Sequence, residues 1–243
     1  LNLHLVLTQA FGQAVRWQLL TVNPAHGAQP PRPRRSQPLS VSPELLDRLL
    51  AVASGTALEL PVAIAAATGM RRGEILALRW ADIAADLSSA HVRASLQATR
   101  NGLVFERPKT ARSRRAVALP VFLRPYLERQ RHAQARTRER LGSTWEEADL
   151  VVTRADGSPV NPDSFSSAWR RLLRKHKLPP ARFHDLRHAH ATLMLLQGVH
   201  PKVVSERLGH ASVGITLDTY SHVLPSLQSQ AVEAFDRLFP RVA

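Results

Sequence analysis

The sequence predicts a mainly α-helical protein carrying one small three-stranded antiparallel β-sheet. Two observations lead there. Apolar residues recur at three- and four-residue intervals through most of the 243 positions, the spacing that gathers side chains on one helical face. In a single window, about 90–119, the period shifts toward two, and Asn101-Gly102 inside it is a strong hairpin signal. Hydrophobic residues make up 44% of the chain, which is enough to build a core.

Each element follows in order. Leu3, Leu7, Phe11, Ala14, Val15 and Leu19 predict a helix over 3–20. Such a helix cannot bury its own apolar face, so it must dock on another part of the chain, on a preceding domain or on another molecule. "NPAHGAQPPRPRRSQP" reads as a proline-rich basic linker. The expected division is therefore a terminal helix at 1–22, a linker at 23–39 and a main unit at 40–243. The main unit opens at Ser42-Pro43-Glu44, the pattern of a capped helix start. Helices are expected near 57–67 and 72–80, then strands in "HVRASLQAT", "LVFER" and "RRAVALP". Further helices are expected near 120–140, 162–176, 184–197, 201–208, 212–218 and 226–238, with a short extended piece at 148–152 before the turn "RADGSP".

Charge narrows the partner. Lys and Arg total 33 against 19 Asp and Glu, a net +14, more than solubility needs, so a polyanion is the first candidate. The cations are nearly all arginine; the lysines are Lys109, Lys175, Lys177 and Lys202. With no cysteine, disulfides, thiolate metal sites and cysteine nucleophiles are excluded, and a reducing compartment is permitted. No apolar run is long enough to span a membrane. The start "LNLHLVLTQAF" has neither a basic leader nor a small-residue cleavage site and no initiating methionine, so the expectation is a fragment without a signal peptide.

The densest chemistry lies in "RFHDLRHAHATL", 182–193. His184 and His188 stand four apart and could share a metal; His184 and Arg187 stand three apart and could grip a phosphate; a solvated helix face would also accommodate them. "ATGMRRGEILALRWADI" places Arg71, Arg72 and Glu74 in the first turn of a helix after Gly69. "RPKTARSRRAVAL" is a basic loop with Arg107, Lys109, Arg112, Arg114 and Arg115 and no acid, suited to a nucleic acid backbone. "ERLGHASVGITLDTYSHV" brings Gly209, His210 and Tyr220.

Taken together, "TGMRRGE", a lysine in a basic hairpin, "HDLRHAHATL" and "LGHASVGITLDTYSHV" resemble the tyrosine recombinase, or phage integrase, family over roughly residues 40–240. The resemblance implies the DNA breaking-rejoining catalytic fold. It also implies a site-specific recombinase that cuts double-stranded DNA through a 3′-phosphotyrosyl intermediate, for integration or excision, with no metal and no other cofactor. On that pattern Tyr220 is the nucleophile, Arg71 and Arg187 hold the non-bridging oxygens, and Lys109 is the general acid for the departing 5′-oxygen. His184 exchanges a proton with the phenol, whose pKa is ordinarily about 10. His210 hydrogen-bonds the phosphate, and Glu74 orients the arginine and histidine. Arg72, Arg107, Arg112, Arg114 and Arg115 are the expected DNA contacts. His188 and His190 are expected to pack or cap behind the site, Tyr126 to be structural, and the metal reading recedes because "HDLRH" lacks the glutamate of HExxH.

The resemblance further implies a homotetramer on two DNA sites when active, a monomer for this piece alone, no membrane partner, and a cytoplasmic, nucleoid-associated place in a bacterial or phage-encoded system. The family's helical core-binding domain has only the 1–22 helix as its counterpart here. In the family the C-terminal tail, here 225–239, often packs in trans on a neighbouring subunit, and packing in cis stands as an even alternative. Rival readings are a DNA-binding relative that does not cut, and a type IB topoisomerase-like nicking-closing enzyme.

Overall fold

The computed structural model describes residues 2–30, 42–107, 114–220, 232, 233 and 235–237. The chain divides into two compact units, Leu1–Pro38 and Leu39–Ala243.

In the first unit, helix α1 spans Asn2–Arg16, shorter than its apolar pattern suggested. Gln18 takes a positive φ of 60°, and its N–H bonds the Val15 carbonyl while the Leu19 N–H reaches Ala14. This paired closure satisfies the last carbonyls and ends the helix. Asn23 then caps a 3-10 turn at Pro24–Gly27 and donates from Nδ2 to the Thr8 carbonyl at 2.9 Å. The first residues of the expected linker are thus folded against α1.

The second unit begins with α2, Pro43–Ala53, capped as expected by Ser42. Helix α3, Glu59–Thr68, is buried from Leu60 to Thr68, because it is apolar on every side and can only be central. Helix α4 covers Arg72–Leu76, not the expected 72–80. Its continuation is diverted: Val151 N–H bonds the Leu78 carbonyl, Trp80 N–H bonds the Asp149 carbonyl, and Arg79 bridges Leu150. The extended piece expected at 148–152 therefore competes for the backbone that would have prolonged α4.

The expected single three-stranded sheet is corrected to two two-stranded antiparallel sheets among the described residues. Strand β1, Ser89–Val92, pairs with β4, Arg115–Ala118. Strand β2, Ser95–Thr99, pairs with β3, Gly102–Glu106. The segment "HVRASLQAT" breaks at Arg93-Ala94 and changes partner there, with Arg93 drawn by its ion pair to Asp82 at 3.0 Å. The Asn101-Gly102 hairpin forms where expected, with Thr99 opposite Gly102. Helix α4 lies close on β2 because Gly73 has no side chain: a Cβ there would collide with Ser95 Oγ and lie 2.8 Å from the Leu96 carbonyl oxygen.

Helices α5, Arg124–Leu141, α6, Pro162–Lys175, α7, Asp185–Leu196, α8, Pro201–Leu208, and α9, Val213–Tyr220, follow the expected order and lengths. Of the helix expected at 226–238, residues 232, 233 and 235–237 are described and helical; the rest lies outside the described residues. The main core gathers α2, α3, α4 and the inner faces of α6 and α7. Trp169 seals it, donating from its indole to the Ala181 carbonyl at 2.8 Å with Phe183 edge-on at 5.5 Å. A second, smaller cluster of Ala191, Leu195, Val204, Leu208 and Tyr220 ties α9 to α7 and α8. Among the described residues no helix is long and apolar enough to cross a membrane.

Candidate active site

The site forms where α3 ends against α7. Thr68 shapes the turn, its hydroxyl donating to the Ile64 carbonyl at 2.6 Å and accepting from the Met70 N–H. Gly69 follows in the left-handed region at φ 65°. A Cβ on it would lie 2.6 Å from Leu208 and 2.8 Å from His190, so both backbone sign and space demand glycine. The turn delivers Arg71 to the start of α4.

Arg187, 3% exposed, is fixed by two helix ends. Its Nη1 donates to the Gly69 carbonyl at 2.8 Å and its Nη2 to the Leu208 carbonyl at 2.8 Å. Both are terminal carbonyls of helices, α3 and α8, which carry partial negative charge. Burial and the neighbouring Arg71 pull its pKa down to about 9, opposed by Glu74, so it remains a cation at neutral pH.

Glu74 is the anionic centre. It accepts from the Arg71 N–H at 2.9 Å, from Arg71 Nη1 at 2.8 Å and from Arg115 Nη2 at 2.9 Å. Burial pushes its pKa up, but Arg115 and Arg71 outweigh that and hold it below the usual carboxylate range. Arg115 also donates from Nε to the Arg207 carbonyl at 2.7 Å, joining β4 to α8.

Three histidines surround the arginines. His210, just after the left-handed Gly209 that ends α8, shares a 2.8 Å bond through Nδ1 with the hydroxyl of fully buried Thr216. With Nδ1 accepting from that hydroxyl, Nε2–H is free to donate outward. Desolvation and the charges of Arg187, Arg71 and Arg115 hold its pKa at about 4. His184, at the start of α7, is exposed with its ring edge-to-face on His188 at 5.0 Å. Partial desolvation, His188 and the arginines lower its pKa to about 4. His190 is buried; its Nδ1–H donates to the Ala66 carbonyl at 2.8 Å and its Nε2 accepts from Arg207 Nε at 3.0 Å.

Tyr220 ends α9, 3% exposed, and its hydroxyl bonds His188 Nδ1 at 2.8 Å. Burial raises its pKa to about 12, with Arg187 opposing.

Arg71, Glu74, His184, Arg187, His210 and Tyr220 are thus brought together, each acting on another's charge. Lys109 and Arg112 lie outside the described residues. Arg107 and Arg114, which flank the residues left undescribed, are exposed. Arg72 and Arg115 are corrections. Arg72 bonds the Pro162 carbonyl at 2.9 Å and Ser166 Oγ, bracing α4 on α6. Arg115, with a side chain only 6% exposed, braces Glu74. Each is spent on the protein because it lies beside an acceptor from a distant stretch. His188 is a further correction: it touches the tyrosine and does not pack behind the site, whereas His190 does. Tyr126 packs on the main core under the Arg129 guanidinium, 4.7 Å from the ring centroid. Arg207 and Thr216 went unmarked in the sequence, since their partners are visible only in the fold. Among the described residues no group of three histidine or acidic side chains could hold a metal ion.

The geometry presents a buried, fixed guanidinium, a second half-exposed one and hydrogen-bonding imidazoles beside a phenol. Guanidinium and imidazole donors of this kind are the groups that bind phosphate oxygens, and a phenol is a group able to act as a nucleophile.

Comparison with known proteins points to one family. The profile of the phage integrase family matches residues 41–226. A tyrosine recombinase XerC-like protein of Caldanaerobacter subterraneus subsp. tengcongensis is 29% identical over 94% of this chain and 63% of its own length. The ICEBs1 integrase of Bacillus subtilis is 30% identical over 98% of this chain and 65% of its own length. The chain thus spans just under two thirds of those curated relatives. Among solved structures, the Tn1549 transposon integrase in complex with a circular intermediate DNA superposes with a TM-score of 0.81 over 96% of this chain and 78% of that one, at 18% identity.

Proposed function

The chain belongs to the phage integrase family, and from that premise we propose that it is a site-specific tyrosine recombinase that cleaves and rejoins double-stranded DNA for integration or excision. The observation that carries the proposal is the convergence of Arg71, Glu74, Arg187, His210 and Tyr220, from well-separated stretches, into one cluster whose charges act on one another.

In the reaction the Tyr220 oxygen attacks phosphorus, the bond to the 5′-oxygen breaks, and the 3′-phosphate stays on the enzyme. Arg187 and Arg71 hold the non-bridging oxygens as negative charge grows there. Arg187 needs no reorganisation, because two carbonyls already fix its plane. His210 donates Nε2–H to the same phosphate, oriented by Thr216. Glu74 aligns Arg71 through both its backbone and its side chain. Lys109 supplies the proton to the 5′-oxygen, and Arg107, Arg112 and Arg114 grip the flanking backbone. The energy of the phosphodiester is kept in the covalent link, so no ATP or metal is required. The other strand's hydroxyl reverses the step.

Exchange between two duplexes breaks four strands, and each chain supplies one such tyrosine, so the active assembly is a homotetramer on two DNA sites. We further propose that it works in the bacterial cytoplasm at the nucleoid, where such a DNA substrate lies. Incubating the chain with a randomised duplex library in EDTA, then recovering and sequencing covalent protein-DNA adducts, tests this. One enriched sequence is expected. Adducts of unbiased sequence would instead favour a nicking-closing enzyme, and no adduct at all would overturn the proposal.

A further inference from the structure

The phenol must lose a proton to attack, and burial has made that harder by raising its pKa to about 12. We infer that His188, the residue directly after Arg187, takes the proton from the Tyr220 hydroxyl, a role that rests on the recombinase reading above.

The geometry is direct. Nδ1 of His188 lies 2.8 Å from the Tyr220 oxygen, within the range required of a general base, and the rings are tilted at 56° with centroids 5.8 Å apart. Successive residues on a helix point about 100° apart, so α7 aims Arg187 at the carbonyls of Gly69 and Leu208 while His188 faces α9. His184, one turn earlier, meets the edge of the His188 ring; His188 is the imidazole that reaches the phenol. The tyrosine is held at the same time by Ala191, Leu195, Val204 and Leu208, so the hydrogen bond fixes its last degree of freedom.

The protons balance. As the Tyr220 oxygen bonds phosphorus, its hydrogen moves to His188 Nδ1, giving an imidazolium. The 5′-oxygen leaves and takes a proton from Lys109. Rejoining reverses both transfers: the attacking 5′-hydroxyl returns its proton to Lys109, and His188 gives its own back to Tyr220. To accept, Nδ1 must carry a lone pair, so the neutral ring holds its hydrogen on Nε2. The surroundings favour that neutral form. Burial lowers the pKa of His188 below its ordinary value, Arg187 and Arg182 add to the lowering, and Asp185 opposes it. His184, His210 and Tyr220 are the other titratable groups facing it.

The test uses the full chain and a nicked suicide duplex carrying the captured sequence, made with either oxygen or sulfur at the scissile 5′ position. A sulfur leaving group needs no general acid, so a defect that persists with sulfur belongs to the nucleophile. His188→Ala removes the imidazole, and His188→Asn keeps an acceptor near the Nδ1 position but cannot hold the proton. Both variants are expected to form the adduct about a hundredfold more slowly at neutral pH, with oxygen and with sulfur. The wild-type rate should fall with acid below the ordinary histidine value of about 6.5, and His188→Asn should lose that limb. Full activity of His188→Asn, a defect that vanishes with sulfur, or an acid limb unchanged in His188→Asn would each overturn the assignment. Absence of any adduct from the wild type would overturn the recombinase reading itself, and this inference with it.

Discussion

Replacing Glu74 by Gln is the perturbation whose outcome the structure constrains most tightly. The carboxylate takes charge-assisted bonds from Arg71 and Arg115 and one from a backbone N–H. Arg71 has a side chain 42% exposed, so on losing the charge it turns to water at little cost, as surface pairs do. Arg115, 6% exposed, cannot. It would be left as a buried cation facing an amide, and breaking one side of such a pair costs about 3–5 kcal/mol. Urea unfolding of Glu74→Gln at neutral pH should therefore show a loss in that range. Removing both charges, as in Glu74→Gln with Arg115→Met, should restore a good part of it, because a buried pair replaced as a whole is often close to neutral. The double-mutant cycle then gives a coupling of about 2–3 kcal/mol. A loss below about 1 kcal/mol in the single variant, which is the scale of an exposed pair, or strict additivity in the double, would refute the reasoning.

Three other outcomes follow. Gly69→Ala forces a left-handed residue costing about 1–2 kcal/mol and crowds Leu208 and His190 for about 1–3 more; a melting temperature within a degree of wild type would contradict this. His190 has its pKa lowered to about 4, by burial first and then by Arg207 and Arg187, with its bond to Ala66 opposing. A folded pKa below the unfolded value means that its stabilisation is full above about 6.5 and is lost as pH falls toward about 4, roughly 3 kcal/mol in all. His190→Asn should flatten that part of the stability-pH curve, and an unchanged slope would count against the burial argument. Thr216→Val keeps shape but frees the His210 tautomer, so adduct formation should slow by up to about tenfold, the worth of one hydrogen bond, with stability little changed; an unaltered rate would mean that His210 needs no orienting partner.

Legibility followed the range of each signal. Helices whose apolar period runs uninterrupted, such as α6 and α8, could be read nearly to the residue. Helix α4 could not, because what shortens it is pairing with residues 149–151, seventy positions away. The split sheet has the same origin: one continuous strand pattern changes partner at Arg93, and alternation says nothing about partners. In the site, Arg71, Glu74, Arg187, His210 and Tyr220 were singled out by the family resemblance of their motifs, and the fold brings them together. Arg72 and Arg115 misled because an arginine bound for DNA and one bound for a buried carboxylate are the same letter. His188 was hidden for a different reason. Its partner Tyr220 lies 32 positions on, and only the packing of α9 on α7 and α8 reveals which of the clustered histidines meets it.

The central claim is that Tyr220 becomes covalently joined to a DNA 3′-phosphate. The chain has two tyrosines, so the measurement is unambiguous: trap the adduct on the suicide duplex in EDTA, digest protein and DNA, and map the residual nucleotide by mass spectrometry. A 3′-phosphonucleotide is expected on Tyr220, retained in Tyr126→Phe and abolished in Tyr220→Phe. A nucleotide on any other residue, or an adduct that survives Tyr220→Phe, would contradict it.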